Sequence, residues 1–565
     1  MDIVHWRRDS DGVTIAKTHF SDVIRDAKMT MTIRFPLRAT LFAAACALGL
    51  TFSVTAPAQA QVTAFKQAVA EAAADDDSIA AFYRQRDYQP IWTAEGEMAR
   101  TRRAALLDAL SGVSVHGLPE ARYGVAALKA RMAAVRTTRD LGEVEVAMSR
   151  AFVTYAKDVQ TGLLTPSKID DGIKRKVPLH DRTAYLTEFA DSAPQAYLRA
   201  LPPVTAEYRA LMKEKLRFEH LIALGGWAPT VPGSKLEPGD TGTAVIALRD
   251  RLVAMGYLQR SATRTYDKPL EQAVRKFQLA HGLLADGVAG GGTLSEINKP
   301  VQERLKSVIV AMERERWMNR DRGERHIWVN QTDFSAKIID HGRVTFETRS
   351  VVGKNVPDRR SPEFSDEMEH MIINPSWHIP RSIIVKEYLP KLRNNPGAAG
   401  HLIITDSRGR RVNRANADFS QYTGNSFPFD MRQPPSSRNA LGLVKFMFPN
   451  RYNIYLHDTP QKSLFNREVR AFSHGCIRLQ EPFEFAYALL AAQSDDPQGL
   501  FQSILKTGVE TKVELETPLP VHIIYRTAFT NEQGRAEFRR DVYGRDAKIW
   551  DALNQAGVAL GTVQG

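Results

Sequence analysis

The sequence predicts a multidomain α+β protein: a mostly helical N-terminal body, a small three-helix module, and a β-rich C-terminal domain with a capping insertion. Three observations predict it. Residues 61–225 carry apolar side chains at three- and four-residue spacing with few β-branched runs, the pattern of amphipathic helices. The stretch "GGWAPTVPGSKLEPGDTG", 225–242, breaks that pattern with proline and glycine. From Ile327 onward, β-branched segments separated by turn residues take over. A chain of 565 residues also exceeds a single ordinary core. Its 43% apolar and 25% charged content is that of a soluble globular protein. The formal charge of +12 is spread among many acids, with no long basic block or basic-aromatic repeat. That argues against nucleic acid as a partner and suits an anionic envelope polymer or lipid.

Taken in order, residues 1–28 are mixed and charged, unlike the start of an export signal. From Met29 or Met31 the pattern changes: Arg34 and Arg38, the apolar run "ATLFAAACALGLTFSV", then "APAQAQ". A positive flank, a short apolar core and the triplet Ala58-Gln59-Ala60 predict a secretory signal cleaved after Ala60. Translation is then expected to begin at Met29 or Met31, and membrane contact to be confined to this segment. The competing reading is an uncleaved anchor, for which the run is barely long enough. Cleavage removes Cys46 and leaves Cys476 as the single thiol, unable to form an internal disulfide.

Residues 61–230 form the expected helical scaffold. Between 236 and 298, Val245, Leu248, Leu252 and Met255 fall on one helical face closed by Gly256. Ala273, Val274 and Phe277 mark a second helix, and "DGVAGGGTLSEIN" a turn and a third. "VQERLKSVIVAMERERWM" predicts a linker helix over 300–322 with Leu305, Val308, Ile309 and Met312 on one side. "HIWVNQTDFSAKIID-HG-RVTFETRSVVG" predicts hairpin strands turning at His341-Gly342. The long proline-rich excursions between later strands, about 376–440, predict a cap, because such loops in a β domain are uncommon unless functional. Trp377, Tyr422, Phe427 and Phe429 are candidates for its packing, equally readable as ordinary core aromatics. "EPFEFAYALLAA" predicts a helix, and 516–565 terminal strands around "NEQG" followed by a tail.

Chemistry concentrates in "YLHDTPQKSLFNREVRAFSHGCIRL", 455–479. A thiol is mostly protonated at neutral pH, so nucleophilic use of Cys476 needs a base or an electropositive setting. His457 supplies the base if its strand lies antiparallel beside the "SHGC" loop across the connection 458–472. Gly475 permits tight curvature, and the N–H groups of Gly475 and Cys476 are candidate oxyanion donors. His474 either donates a further hydrogen bond or shapes the loop. Arg478, two residues past the thiol, shares its face in extended chain and suits a substrate carboxylate. On the residues alone three readings stand: a zinc site of His457, His474 and Cys476 lacking a recognisable fourth ligand, a buried structural cysteine, and covalent acyl transfer through a Cys–His pair.

Two resemblances bear on these alternatives. "LEPGDTGTAVIALRDRL…GYL…YD…AVRKFQLAHGL…DGVAGGGTL" resembles the type 1 peptidoglycan-binding domain, a three-helix module. "SHGCIRL" with upstream "LHDTP" resembles the L,D-transpeptidase catalytic domain, or YkuD fold, over 325–515. "NPSWHIPRSII", "NALGLVKFMFPNRYNIYLHDTP", "FYRQRDYQPIW" and "GLLTPSKI" are similar to the long-form Gram-negative subgroup, in which a helical scaffold and a peptidoglycan-binding module accompany that domain. The resemblance implies that Cys476 is the nucleophile and His457 the base, with Ser473, His474 and Gly475 completing the Ser/Thr-His-Gly-Cys signature. Arg478 stands where many members have asparagine. Asp458 or a backbone carbonyl is implied to orient His457, and strand alternation favours the carbonyl. The implied reaction releases D-alanine from a tetrapeptide stem and passes the acyl group from a thioester to an amine, forming 3–3 cross-links in the periplasm. It needs no cofactor and no metal. Peptidoglycan stems and glycan are the implied partners, with other wall-synthesis proteins as further ones. Hydrolysis by water, anchoring to a protein lysine, and an idle binding scaffold are the alternatives.

Overall fold

Helix-forming periodicity in the N-terminal third yields Ala56–Ala72, Asp77–Gln85, Glu97–Ser111, Val125–Ala134, Thr138–Thr161, Arg182–Ala190, Pro194–Ala200 and Ala206–Ala223. The computed structural model describes residues 56–560. The expected start codon and nearly all of the expected leader lie outside these residues. Among the described residues no helix is long and apolar enough to cross a membrane. Caps fix where helices begin: Asp76 accepts from the Ile79 N–H, and Thr137 and Asp140 form a reciprocal capping box. Inside, the buried Glu145 carboxylate accepts from the N–H groups of Ile91, Trp92 and Thr93 and from the Tyr83 hydroxyl. One carboxylate thus satisfies a whole turn of backbone, which is why "YQPIWT" can fold inward.

Helix Val301–Trp317 corrects the expected linker at 300–322. Val301, Leu305, Val308, Ile309, Val310, Ala311, Met312 and Trp317 all lie in the core of the helical body. The helix is buried on every side along its second half because "ERER" is paired internally. Glu313 accepts from Arg316 and from the Trp317 indole, Arg314 bridges Glu363 and Asp546, and Glu315 holds Arg322 and Arg526. The three-helix module is as expected: Thr243–Ala254, Lys268–Ala280 and Gly291–Ile297 close over Val245, Leu248, Leu252, Val274 and Phe277.

Twelve strands, in chain order, build the C-terminal β-rich domain: β1 Arg325–Asn330, β2 Ser335–Asp340, β3 Arg343–Gly353, β4 Phe364–Ile373, β5 Trp377–His378, β6 Ile403–Thr405, β7 Asp430–Gln433, β8 Val444–Met447, β9 Leu456–His457, β10 Ala471–Ser473, β11 Ile477–Leu479 and β12 Thr511–Ile524. The main sheet runs β10-β3-β11-β9-β8-β4-β12-β1-β2, and β2 also pairs with β3, so the sheet closes on itself. His341 and Gly342 both have positive φ, 47° and 77°, at the tight turn joining β2 to β3. β5-β7-β6 is a separate small sheet in the insertion. With a π-helical turn at Ile384–Tyr388 and helix Leu389–Asn394 it encloses its own core of Ile384, Leu389, Leu392, Phe419, Phe427 and Met431. Trp377, Tyr422 and Phe429 pack against this core, so the four aromatic candidates belong to the cap.

The boundary expected at 515/516 falls inside β12, which pairs with β4 on one side and β1 on the other. The segment beyond 516 is therefore central to the sheet. The expected strands around "NEQG" are present as β13 Ala528–Thr530 and β14 Ala536–Phe538, but their apolar residues enter the helical core. The expected tail is instead helix Arg545–Gln555, which buries Ile549 and Leu553.

Candidate active site

β8, β9 and β11 are neighbours, and the site lies on one face of them. Their other face is apolar: Phe446, Leu456, Ile477 and Leu479 are fully buried in the sheet's core. β9 and β11 pair in parallel, with Arg478 opposite His457, not antiparallel as expected. The connection 458–472 is accordingly a crossover, containing the 3-10 turn Lys462–Asn466. β8 pairs antiparallel with β9, with Lys445 opposite His457.

His457 is 4% exposed. Its Nδ1 donates to the Asp458 carbonyl at 2.5 Å, which leaves Nε2 with its lone pair. The Asp458 side chain faces elsewhere, accepting from the Leu443 N–H at 2.9 Å and from Lys462 at 2.8 Å. The backbone carbonyl, favoured by strand alternation, is thus the orienting group. Burial, reinforced by Arg478, holds the imidazole down to about 3.

Cys476 is half-buried, with Sγ 3.4 Å from the Asn453 carbonyl. Burial pushes its thiol up to about 11, against the hydrogen bonds from Tyr455 that favour the thiolate. Tyr455 escaped the sequence reading. It lies two residues before His457 on the same strand face, with the rings 5.7 Å apart, and its hydroxyl meets the sulfur. The period-two rule was the available signal. Thiol and imidazole are both neutral in the resting site.

The signature loop is held from several directions. Ser473 accepts from the Gly475 N–H at 3.2 Å and donates to the Cys476 carbonyl at 2.5 Å. The Gly475 N–H is therefore engaged within the loop, unlike the free donor expected from sequence. Gly475 has φ of 121°, which no L side chain adopts readily. Ser361 donates to the Gly475 carbonyl at 2.6 Å, and Arg545 from the C-terminal helix donates to the Ser361 carbonyl at 2.9 Å. His474 turns away from the thiol: its Nε2 meets Glu387 of the cap at 2.6 Å, and Arg359 meets the same oxygen at 2.8 Å. His457, His474 and Cys476 are thus not gathered, and among the described residues no three His, Cys, Asp or Glu side chains form a metal-sized cluster. Arg478 donates to Gln461 at 2.7 Å.

Family models match three segments: "Scaffold domain" over 77–214, "Putative peptidoglycan binding domain" over 241–297, and "L,D-transpeptidase catalytic domain" over 324–514. The chain thus carries the catalytic domain of the L,D-transpeptidase (YkuD) family, in the long arrangement with scaffold and peptidoglycan-binding domains. A curated protein of Haemophilus influenzae described as "Putative L,D-transpeptidase" is 31% identical over 237 residues, 40% of this chain. The match spans about half of that relative, 47% of its length. Among solved structures, an L,D-transpeptidase from Xylanimonas cellulosilytica is 15% identical, covering 52% of this chain and 100% of its own at a TM-score of 0.17. One from Stackebrandtia nassauensis is 14% identical, covering 52% and 96% at 0.21.

Proposed function

We propose that this chain is a cysteine-dependent L,D-transpeptidase that cross-links peptidoglycan stem peptides outside the cytoplasm. The observation that carries the reading is the pairing of β9 with β11. It sets the base strand beside the nucleophile loop, with the imidazole already oriented by a carbonyl. Because thiol and imidazole are both neutral, His457 acts as a general base at the moment of attack, not as half of a preformed ion pair. Nε2 takes the thiol proton while Sγ bonds to the carbonyl carbon of the third residue of a tetrapeptide donor. The Cys476 N–H and the Tyr455 hydroxyl are the donors available to the resulting oxyanion. His457 returns the proton to the departing nitrogen of D-alanine, leaving a thioester. The side-chain amine of a second stem then attacks, His457 accepts its proton, and the thiol is regenerated as the 3–3 cross-link forms.

Ser473 and Gly475 shape the loop, His474 joins it to the cap, and Arg478 is a substrate-carboxylate partner. The cap favours amine over water by narrowing access to the thioester. The three-helix module tethers the enzyme to glycan and raises local substrate concentration. The +12 charge assists approach to a polymer bearing carboxylates, an effect that salt weakens. The acid test is product analysis: purified disaccharide-tetrapeptides incubated with the enzyme should yield 3–3 dimers and free D-alanine by tandem mass spectrometry. Tripeptides without dimers would assign the chain to carboxypeptidases. Cross-linking that survives Cys476→Ala would point to an idle scaffold recruiting another enzyme.

A further inference from the structure

The register of three neighbouring strands sets Lys445, His457 and Arg478 side by side on one face: Lys445 opposite His457 across β8–β9, and Arg478 opposite it across β9–β11. Direct cross-strand partners share a face. Cations on both sides of a base disfavour its protonated form and so depress the basicity the reaction needs. Both cations also act on the Cys476 sulfur. Neither is fully satisfied. Lys445 makes no hydrogen bond or ion pair among the described residues, and the acid acting on it is the exposed Glu510, whose carboxylate already accepts from the Ser376 N–H. Arg478 spends one nitrogen on the neutral Gln461, and its Nε is buried without a partner.

We propose that Lys445 is a specificity-determining residue which, with Arg478, clamps the terminal carboxylate of the donor peptide across His457. The inference rests on the transpeptidase reading above and deepens it. In a tetrapeptide donor the terminal carboxylate is only three bonds from the carbonyl carbon that Sγ attacks. When that carbon reaches the thiol, the carboxylate is confined to the same patch of sheet face. An anion there neutralises the two cations that weaken the imidazole, so the correct donor restores the basicity of its own general base. A donor extended by one residue, or capped as an amide, carries no charge at that point and leaves His457 depressed. Selection thus acts on the chemical step as well as on binding. No atom beyond those of the transpeptidation is exchanged. The carboxylate leaves with D-alanine, and its departure removes the charge that activated the site.

The test compares acylation of Cys476, read by rapid-quench intact mass, for a tetrapeptide donor with a free C-terminus and the same peptide as its C-terminal amide. The wild-type enzyme should prefer the free acid by about tenfold or more, the scale of one charge-assisted contact. Lys445→Met should bring that ratio towards one, while Lys445→Arg should keep most of it, which separates lost charge from lost folding. Equal acylation of both donors by the wild type overturns the clamp alone. So does a Lys445→Met enzyme whose two rates fall together. Acylation by neither donor overturns the transpeptidase reading and the clamp with it.

Discussion

Cys476 and His457 are both held uncharged by burial, and this sets what single substitutions should do. Removing the base by His457→Gln should slow acylation by about 10²–10⁴-fold with unchanged circular dichroism, the usual range for a positioned general base. An effect below tenfold in stopped-flow acylation would mean that another group takes the proton. Tyr455 opposes the upward shift of the thiol by donating to sulfur. Tyr455→Phe should therefore raise the thiol pKa further, and the pH profile of iodoacetamide labelling at Cys476 should move to higher pH. A profile that stays put or moves down would remove Tyr455 from the site. At this scale the sequence was informative where a motif is local: Cys476, His457, Ser473 and Gly475 fall within one short stretch. Lys445 was missed because its relevance comes from strand register, which no spacing in the chain reveals, whereas Tyr455 did carry a signal in its two-residue offset from His457.

At the level of elements, the parallel pairing of β9 and β11 sets His457 beside Arg478, two residues past Cys476, and the turn before β8 is tied to β9 through the Asp458 carboxylate. Gly442 has φ of 63°, and a Cβ there would fall 2.2 Å from Asp458 Oδ2. Gly442→Ala should thus cost about 1–3 kcal/mol from backbone strain and displacement of that carboxylate. Calorimetry should register it as a lowered Tm, and an unchanged Tm would show that the turn relaxes freely. Helices, hairpin and cap were legible because each rests on local periodicity or punctuation. The direction of β9 against β11 was not, since a crossover of 458–472 permits either sense. The helix Val301–Trp317 looked like a linker because its apolar residues marked only one side and it follows the three-helix module directly. In the fold Glu313 and Arg316 are both fully buried and satisfy one another. Helix Arg545–Gln555 did carry a signal, Ile549 and Leu553 at four-residue spacing, hidden by its place after the last strands.

Across the whole molecule, buried charge ties the helical body to the catalytic sheet. Arg314 joins the long helix to Glu363 and Asp546, and Arg545 links Glu363 and Asp170 to the Ser361 carbonyl beneath the nucleophile loop. Domain boundaries were the least legible feature, because β12 and everything after it return to structures begun much earlier in the chain. Burial also sets the response to acid. His457 and His522 are lowered to about 3, and His281 well below its ordinary value, in each case chiefly by burial. Each is neutral when folded and takes up a proton near pH 6.5 when unfolded. The unfolded chain therefore binds more protons below that pH, and stability present above it is lost as pH falls towards 3. The slope is at most about 1.4 kcal/mol per pH unit for each histidine. Asp546, Asp158 and Asp366, raised chiefly by burial, work in the opposite direction, but they are outnumbered by the lowered histidines, which also include His116, His326 and His370. Tm should fall between pH 7 and pH 5, and a flat or rising Tm would contradict the account.

The central claim is that Cys476 carries half of a wall peptide as a thioester. Intact mass of the enzyme mixed with a tetrapeptide donor, followed by peptide mapping, reads this directly. The expected adduct equals the donor less D-alanine, is confined to Cys476 and is absent from Cys476→Ala. Turnover of the donor with no such adduct at short times, or with the adduct on another residue, would contradict it.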